Sequence, residues 1–132
     1  MCITSEGLKF KMELKIIDGV FAVCKVADFS QTDLSDEYIF TAKTDEENSL
    51  VCLADRVPKN AITVDTPWQA FRICGTLDFS LIGILAEISA ILAKNKIGIF
   101  AVSTYNTDYI FTKSENFQKA IDALCKNGYS VV

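Results

Sequence analysis

The chain has 132 residues, 50% of them hydrophobic and 23% charged, a balance typical of a folded globular protein rather than a disordered one. Its 17 acidic and 13 basic residues give a net charge of -4, and no lysine or arginine stripe interrupts this excess, so we expect no binding to nucleic acid or anionic membranes. With no histidine, the chain lacks the commonest general base near neutral pH and the commonest zinc ligand.

Other absences narrow the function further. The sequence contains no phosphate-binding glycine loop, no run of about 20 apolar residues and no signal-peptide pattern at its start. Its five cysteines include no Cys-x-x-Cys pair, which favours buried thiols over disulfides or a metal site. We therefore expect a cytoplasmic protein that is not an enzyme and that holds no metal or cofactor.

The first half of the chain predicts a small, strand-rich unit. Residues 14–17 and 20–26 flank Asp18-Gly19, a dipeptide typical of a β-hairpin turn. Residues 38–43 and 49–53 predict two further strands. Residues 57–67 contain both prolines of the chain, which favours a connecting segment.

The second half begins with a predicted strand at residues 68–74, followed by a helix at 82–94. Apolar residues recur on one face of that helix, at positions 84, 85, 88, 91 and 92. Asp78 or Ser80 is suited to capping its start, since either side chain accepts hydrogen bonds from backbone N–H groups.

A strand at 97–102, a turn at 105–108 and a strand at 109–112 come next. A second helix is predicted to start at Ser114 as its cap and to end at Asn127-Gly128, and residues 129–132 predict a last strand. The order βαββαβ predicts an α+β, ferredoxin-like fold with antiparallel sheets and helices on one face. We expect two such units, a degenerate one at 12–66 and a complete one at 67–132.

Three segments resemble a known family. They are Trp68 with residues 75–86 (GTLDFSLIGILA), residues 99–110 (IFAVSTYNTDYI), and residues 44–52 (TDEENSLVC). Together they resemble small bacterial proteins of tandem ACT domains, which are related to the ACT pairs of eukaryotic amino-acid sensors. The resemblance implies βαββαβ regulatory modules, commonly dimeric, that bind amino acids or other small ligands.

The resemblance also implies a binding site with two walls. One wall is the loop that leads into the first helix of the second unit, where backbone N–H groups hold a ligand carboxylate: Asp78, Phe79, Ser80, Leu81, Ile82 and Gly83. The other wall comprises Ser103, Thr104, Tyr105 and Asp108. In this site Asp108 is expected to pair with the ammonium group of an amino acid and Tyr105 to cover its apolar part, while the first unit lacks an equivalent loop.

Each of these signals has a structural alternative. Asp108 is also an ordinary turn residue, and Asp78 and Ser80 are also ordinary helix caps. The leading prediction is a non-catalytic, homodimeric regulatory module that binds an amino acid and acts on a protein partner. The alternative is an ACT-fold dimerisation module that binds no ligand.

Overall fold

Two long strands organise the chain in the computed structural model, which describes residues 12–74 and 83–132. Strand β1 spans Glu13–Val26 and strand β4 spans Ala61–Cys74. The chain divides into two compact units, and both strands contribute residues to each of them. We name Met1–Asp18 with Gln69–Val132 the helical unit, and Gly19–Trp68 the strand unit.

The helical unit contains two helices and the remaining strands of the second half. Helix α1 spans Ile84–Lys94 and helix α2 spans Ser114–Lys126. Within this unit the strands follow the order β7-β1-β4-β6-β5. The bounds of the last three strands are Ile99–Ser103 for β5, Asp108–Lys113 for β6 and Ser130–Val131 for β7.

The position of β1 is a departure from a plain βαββαβ sheet. Strand β1 lies between β4 and β7 and pairs with β7 in parallel, with Leu14 opposite Val131. Strands β5 and β6 form the expected antiparallel hairpin, with Ser103 opposite Asp108 at its end. The sheet of the helical unit is therefore mixed, although its hairpin has the predicted direction.

The predicted apolar faces of both helices form the core of the helical unit. Ile88 and Leu92 of α1 are fully buried, and Ile84, Leu85 and Ile91 pack against them. From α2 the core receives Phe117, Ala120, Ile121 and Leu124. The predicted apolar faces of α1 and α2 are therefore confirmed, as expected for residues spaced three or four apart, which share one face of a helix.

The helix ends agree only in part with the predicted caps. Helix α2 begins at Ser114 itself, so the cap position falls on Lys113, and no side chain caps the first turn. The prediction that Ser114 caps α2 is therefore wrong. At the other end of α2, Gly128 has a φ of 98°, which confirms the left-handed ending that Asn127-Gly128 predicted.

The strand unit contains β2 (Phe40–Lys43), β3 (Asn48–Leu53) and a short 3-10 helix at Ala54–Arg56. Its strands follow the order β2-β3-β1-β4, and its residues, all of which the structure describes, include no α-helix. A small core joins β1 to β3: Ala22, Cys24, Val26, Leu50 and Cys52.

Burial raises the pKa of both core thiols, that of Cys52 to about 12. Cys24 and Cys52 therefore remain protonated and unreactive near neutral pH. Cys24, Cys52 and Cys74 are free, as the sequence led us to expect. Cys125 in α2 differs from that expectation because it is disulfide-bonded.

The predicted hairpin at Asp18-Gly19 is wrong, because β1 runs without interruption through both residues. A two-residue hairpin turn of the Asp-Gly type needs a positive φ at both positions. Only Gly19 has one, at 113°, and Asp18 does not. The glycine therefore holds a positive φ within a long strand and does not reverse the chain.

The predicted connector at 57–67 is also wrong over most of its length, since β4 begins at Ala61. Pro58 precedes the strand, whereas Pro67 lies inside it. Strand β4 lies between β1 and β6 in the strand order, and it accommodates Pro67 although proline has no N–H group to donate.

Candidate functional site

The turn that joins β5 to β6 is closed by its own threonines. The N–H group and hydroxyl of Thr104 donate to the carbonyl oxygen of Thr107, at 2.8 and 3.0 Å. The N–H group of Thr107 donates in return to the Thr104 hydroxyl at 3.3 Å. Thr104, predicted to touch a ligand, thus has a structural task that fixes the shape of the turn.

The structure brings two of the predicted site residues together at the base of this turn. The hydroxyl of Ser103 donates to Oδ1 of Asp108 at 2.5 Å, a short hydrogen bond to a charged acceptor. Asp108 is half-buried, while Tyr105 at the tip of the turn is fully exposed and covers no other part of the described chain. Asp108 is thereby held at a fixed place while its second oxygen is left to other donors.

Side-chain alternation divides the β5–β6 hairpin into two faces. Ile110 lies in the core beneath the helices, and Asp108, two residues before it, points to the same face. Tyr109 points to the opposite face, as does Phe111, whose ring stacks on Phe100 with centroids 4.5 Å apart. Ser103 and Asp108 therefore belong to the helix side of the sheet.

The other predicted wall can be located only at its last residue. Asp78, Phe79, Ser80, Leu81 and Ile82 lie outside the described residues. Gly83 is the residue that precedes α1, has a φ of 86°, and accepts the N–H group of Glu87 at 2.9 Å. A Cβ at this position would meet nothing within 4 Å, so the backbone conformation rather than crowding favours glycine there.

A polar cavity of about 320 Å³ lies where β4 ends beside the β5–β6 turn. Among the described residues, its lining comprises Arg72, Ile73, Cys74, Thr104, Asn106, Thr107 and Tyr109. Thr107 anchors the turn to β4, since its hydroxyl donates to the carbonyl oxygen of Ile73 at 2.7 Å. We name this site the β4–β6 cavity.

Of these lining residues, only Thr104 was predicted from the sequence to belong to a site. Arg72 lies in β4 between Phe71 and Ile73, which are both core residues, so alternation places it on the opposite face together with Tyr109. Its Nη1 is 3.5 Å from the hydroxyl of Tyr109. The alternation was legible in the sequence, but the neighbouring positions of β4 and β6 were not.

The strand unit repeats two features of this site, one of which the sequence analysis missed. Its turn at Thr44 is closed in the same way, with the Thr44 N–H group donating to the carbonyl oxygen of Glu47 at 2.9 Å. Asp28-Phe29-Ser30 repeats the tripeptide at positions 78–80. No helix follows the tripeptide there, because residues 27–39 form turns, so the first unit lacks an equivalent loop that leads into a helix, as expected.

Within the strand unit, neighbouring residues form hydrogen bonds with Asp28 of this tripeptide. Asp28 accepts the N–H group and hydroxyl of Ser30 at 2.9 and 2.5 Å, and these bonds lower the pKa of its carboxyl group. Asn60 donates to the carbonyl and carboxylate oxygens of Asp28, and Asn48 donates to the carbonyl oxygen of Ala27. These hydrogen bonds have a structural role, because they join residues 27 and 28 to Asn48 and Asn60.

A larger cavity, of about 630 Å³, lies between α1 and α2. None of the predicted site residues lines it. Lys94 and Lys126, which do, sit in the last turns of their helices, where a cation interacts favourably with the helix dipole. These lysines are thus explained by helix stability without a ligand.

No group of three or more histidine, cysteine, aspartate or glutamate side chains in residues 12–74 and 83–132 is placed to hold a metal ion. In the same residues, no helix is both long and apolar enough to span a membrane.

Comparison with known proteins connects the second half of the chain to one family. Residues 63–126 match the family model described as ACT domain. The chain is similar to the protein Atu0741 from Agrobacterium tumefaciens, with 32% identity, a TM-score of 0.83 and 92% of each chain covered. A sequence search of curated proteins returns no match.

Two more distant structures share the fold. VC0802 from Vibrio cholerae has 24% identity and a TM-score of 0.73, over 86% of this chain and 88% of that one. Aspartate kinase from Clostridium acetobutylicum, an allosteric enzyme, has 12% identity and a TM-score of 0.60, over 82% of this chain and 33% of the kinase.

Proposed function

This protein contains an ACT domain, a regulatory module, and on that premise we propose that it binds an amino acid on the helix side of the β5–β6 hairpin. The observation that carries the proposal is the Ser103–Asp108 pair. The hydroxyl of Ser103 holds the half-buried carboxylate of Asp108 at the end of the hairpin, on the face that carries α1 and α2. A fixed carboxylate in such a place suits the ammonium group of an amino acid.

The rest of the proposed site follows the family resemblance. Backbone N–H groups of residues 78–83 would hold the carboxylate of the ligand, near the positive end of the α1 dipole. Each charge-assisted hydrogen bond is worth about 1.5–3 kcal/mol. Two such contacts with modest apolar burial reach a micromolar dissociation constant, which corresponds to about 8 kcal/mol.

Isothermal titration calorimetry with the proteinogenic amino acids tests this site. We expect one of them to bind the wild-type chain and to lose roughly tenfold or more in affinity in Asp108→Asn, because the amide carries no charge. Asp45→Asn is the matched control, since Asp45 is exposed in the corresponding turn of the strand unit. Unchanged binding by Asp108→Asn would show that the ammonium anchor is assigned to the wrong residue.

Self-association is a second function that one observation favours. Ile62 and Val64 of β4 are 64% and 45% exposed, and their alternation along the strand places both side chains on one face. Exposed apolar side chains that share a face can be buried against a second chain. We propose a homodimer that uses this apolar surface. Sedimentation equilibrium should give a dimer for the wild type and a monomer for Ile62→Lys, and a wild-type monomer would refute it.

A further inference from the structure

Charged side chains of α2 recur on the face that borders the cavity between the two helices. Lys119, Asp122 and Lys126 are spaced three and four residues apart, so they share one face of α2, and all three line this cavity of about 630 Å³. Lys94, at the end of α1, lines it from the other side. We name it the interhelix cavity. Its volume lies within the range of roughly 300–1,000 Å³ that is usual for small-molecule sites.

The three lysines of the interhelix cavity form no ion pair within the part of the chain that the structure describes. Asp122 lies between Lys119 and Lys126 along α2, but its Oδ1 accepts a hydrogen bond from Nε2 of Gln118 at 2.9 Å instead. Three lysines and one aspartate give the described lining a net charge of two positive units. The cavity is therefore a positive site in a chain whose net charge is -4.

Stabilisation of the helix ends accounts for only two of these lysines. Lys94 and Lys126 lie in the last turns of their helices, where a cation interacts favourably with the helix dipole. Lys119 is the sixth of the 13 residues of α2, and the dipole effect falls off within the last turn. The third positive charge thus adds repulsion, which an anion in the cavity would offset.

Two asparagines at the helix ends add hydrogen-bond acceptors to the lining. Nδ2 of Asn95 donates to the carbonyl oxygen of Ile91 at 2.9 Å, and Nδ2 of Asn127 donates to that of Ala123 at 2.8 Å. These bonds cap carbonyl groups that the ends of the helices would otherwise leave unpaired. The Oδ1 atom of each asparagine can accept a hydrogen bond from a hydroxyl group.

From this arrangement we infer that the interhelix cavity binds a small phosphate monoester that also carries hydroxyl groups, such as a polyol phosphate. Lys94, Lys119 and Lys126 surround the phosphate group, and the hydroxyl groups donate to Asn95 and Asn127. The site is separate from the proposed amino-acid site, because none of the residues assigned to that site is in the described lining.

A phosphate fits this lining better than a carboxylate. A phosphate ester carries a charge of about −1.5 to −2 at pH 7, which matches the two positive units of the lining. Ammonium groups bind phosphate as point charges, whereas the paired oxygens of a carboxylate suit the planar fork of a guanidinium. The described lining contains no arginine, and a single carboxylate would leave one positive unit unbalanced.

Backbone amide NMR tests the inference, by titration with glycerol 3-phosphate, inorganic phosphate, succinate and glycerol at constant ionic strength. We expect saturable shifts at residues 91–95 and 119–127 with glycerol 3-phosphate. Inorganic phosphate should bind more weakly because it lacks the glycerol hydroxyls, succinate more weakly still, and glycerol should produce no shift. Signals of the strand unit report non-specific effects of the added compounds.

Substitutions that change the charge of the lining in opposite directions complete the test. Lys119→Gln should weaken glycerol 3-phosphate binding roughly two- to fivefold, the size expected for one exposed charge contact, and Lys119→Arg should retain most of it. Asp122→Asn removes the only carboxylate of the described lining and should strengthen binding by a similar factor. Lys59→Gln is the matched control, since it removes an exposed lysine of the strand unit. Circular dichroism checks the fold of each variant.

The inference is overturned if the shifts grow linearly without saturation, or if succinate or glycerol binds as tightly as glycerol 3-phosphate. It is also overturned if Lys119→Gln and Lys59→Gln have equal effects on binding, or if Asp122→Asn weakens it. Each result is independent of the proposed amino-acid site, which is judged on Asp108→Asn.

Discussion

Tyr129 shows how one buried hydroxyl links α1 to the end of α2. Its side chain is fully buried, and its hydroxyl donates to Oε1 of Glu87 at 2.6 Å. Burial, together with the bond to a negatively charged acceptor, raises the pKa of Tyr129 far above its ordinary value. The hydroxyl therefore stays protonated in the folded protein at any pH in ordinary use.

Replacing this hydroxyl should destabilise the helical unit. We expect Tyr129→Phe to lower the free energy of unfolding by about 1–2 kcal/mol, because Glu87 loses a hydrogen bond to its carboxylate. Urea unfolding followed by circular dichroism measures the change. Tyr105→Phe is the control and should be neutral, since Tyr105 is fully exposed. Equal effects of the two substitutions would show that the Tyr129–Glu87 bond contributes nothing.

The same bond predicts a loss of stability in alkali. The folded-state pKa of Tyr129 is raised above its ordinary value of 10.0, so the folded chain retains a proton that the unfolded chain releases. The stability that this contributes is fully present below pH 10 and falls as the pH rises above it. The difference in unfolding free energy between wild type and Tyr129→Phe should thus shrink above pH 10, and a constant difference would contradict the argument.

Two exposed carboxylates, those of Asp28 and Asp33, predict a loss of stability at acidic pH. Hydrogen bonds from Ser30 lower the pKa of Asp28 below 3.8, and bonds from Ser35 lower that of Asp33. The stabilisation from these turns is present above pH 3.8 and is lost as the pH falls through the folded-state values. In an NMR titration, Ser30→Ala should raise the pKa of Asp28 and leave that of Asp33 unchanged. An unchanged Asp28 would assign the shift to another cause.

Among the elements, β1 depends on one glycine in an unusual conformation. Gly19 has a φ of 113°, and a Cβ there would lie 2.8 Å from Cδ2 of Leu53. The leucine side chain can rotate away, so the backbone conformation sets most of the cost of a substitution.

We expect Gly19→Ala to lower the free energy of unfolding by about 1–2 kcal/mol in urea unfolding. Gly98→Ala is the matched control, since it has no positive φ and no atom within 4 Å of the added carbon. That control should be neutral or slightly stabilising. If Gly19→Ala were as stable as Gly98→Ala, β1 would not require glycine at this position.

Local patterns predicted some elements and failed for others for identifiable reasons. The apolar face of α1 and the polar turn between β5 and β6 are encoded within short stretches, so both were predictable. Strands β1 and β4 are fixed by pairing with distant segments, which overrides the local turn signal of Asp18-Gly19 and the breaking tendency of Pro67.

Some residues of the candidate site were predictable from the sequence, and others were not. Ser103 and Asp108 were predictable because the motif resemblance includes them and the turn brings them together. Arg72 and Tyr109 became a pair only once β4 was known to lie beside β6, with both side chains on the face opposite the helices. Sequence alternation gives the face of a residue within one strand, but it does not identify the neighbouring strand.

For the whole molecule, we propose a regulatory module with an amino-acid site on the helix side of its β5–β6 hairpin. Regulation requires that a ligand bind more tightly to one arrangement of the protein than to another.

The most direct measurement is a thermal-shift screen of the purified protein against each amino acid, at two protein concentrations. A ligand at roughly 100 times its dissociation constant stabilises the folded state by about 2.7 kcal/mol, a shift of several degrees for a chain of this size. We predict a selective rise in melting temperature with one amino acid or with a group of chemically similar ones. A flat panel, with melting that rises only with protein concentration, would contradict amino-acid binding and favour the dimerisation module.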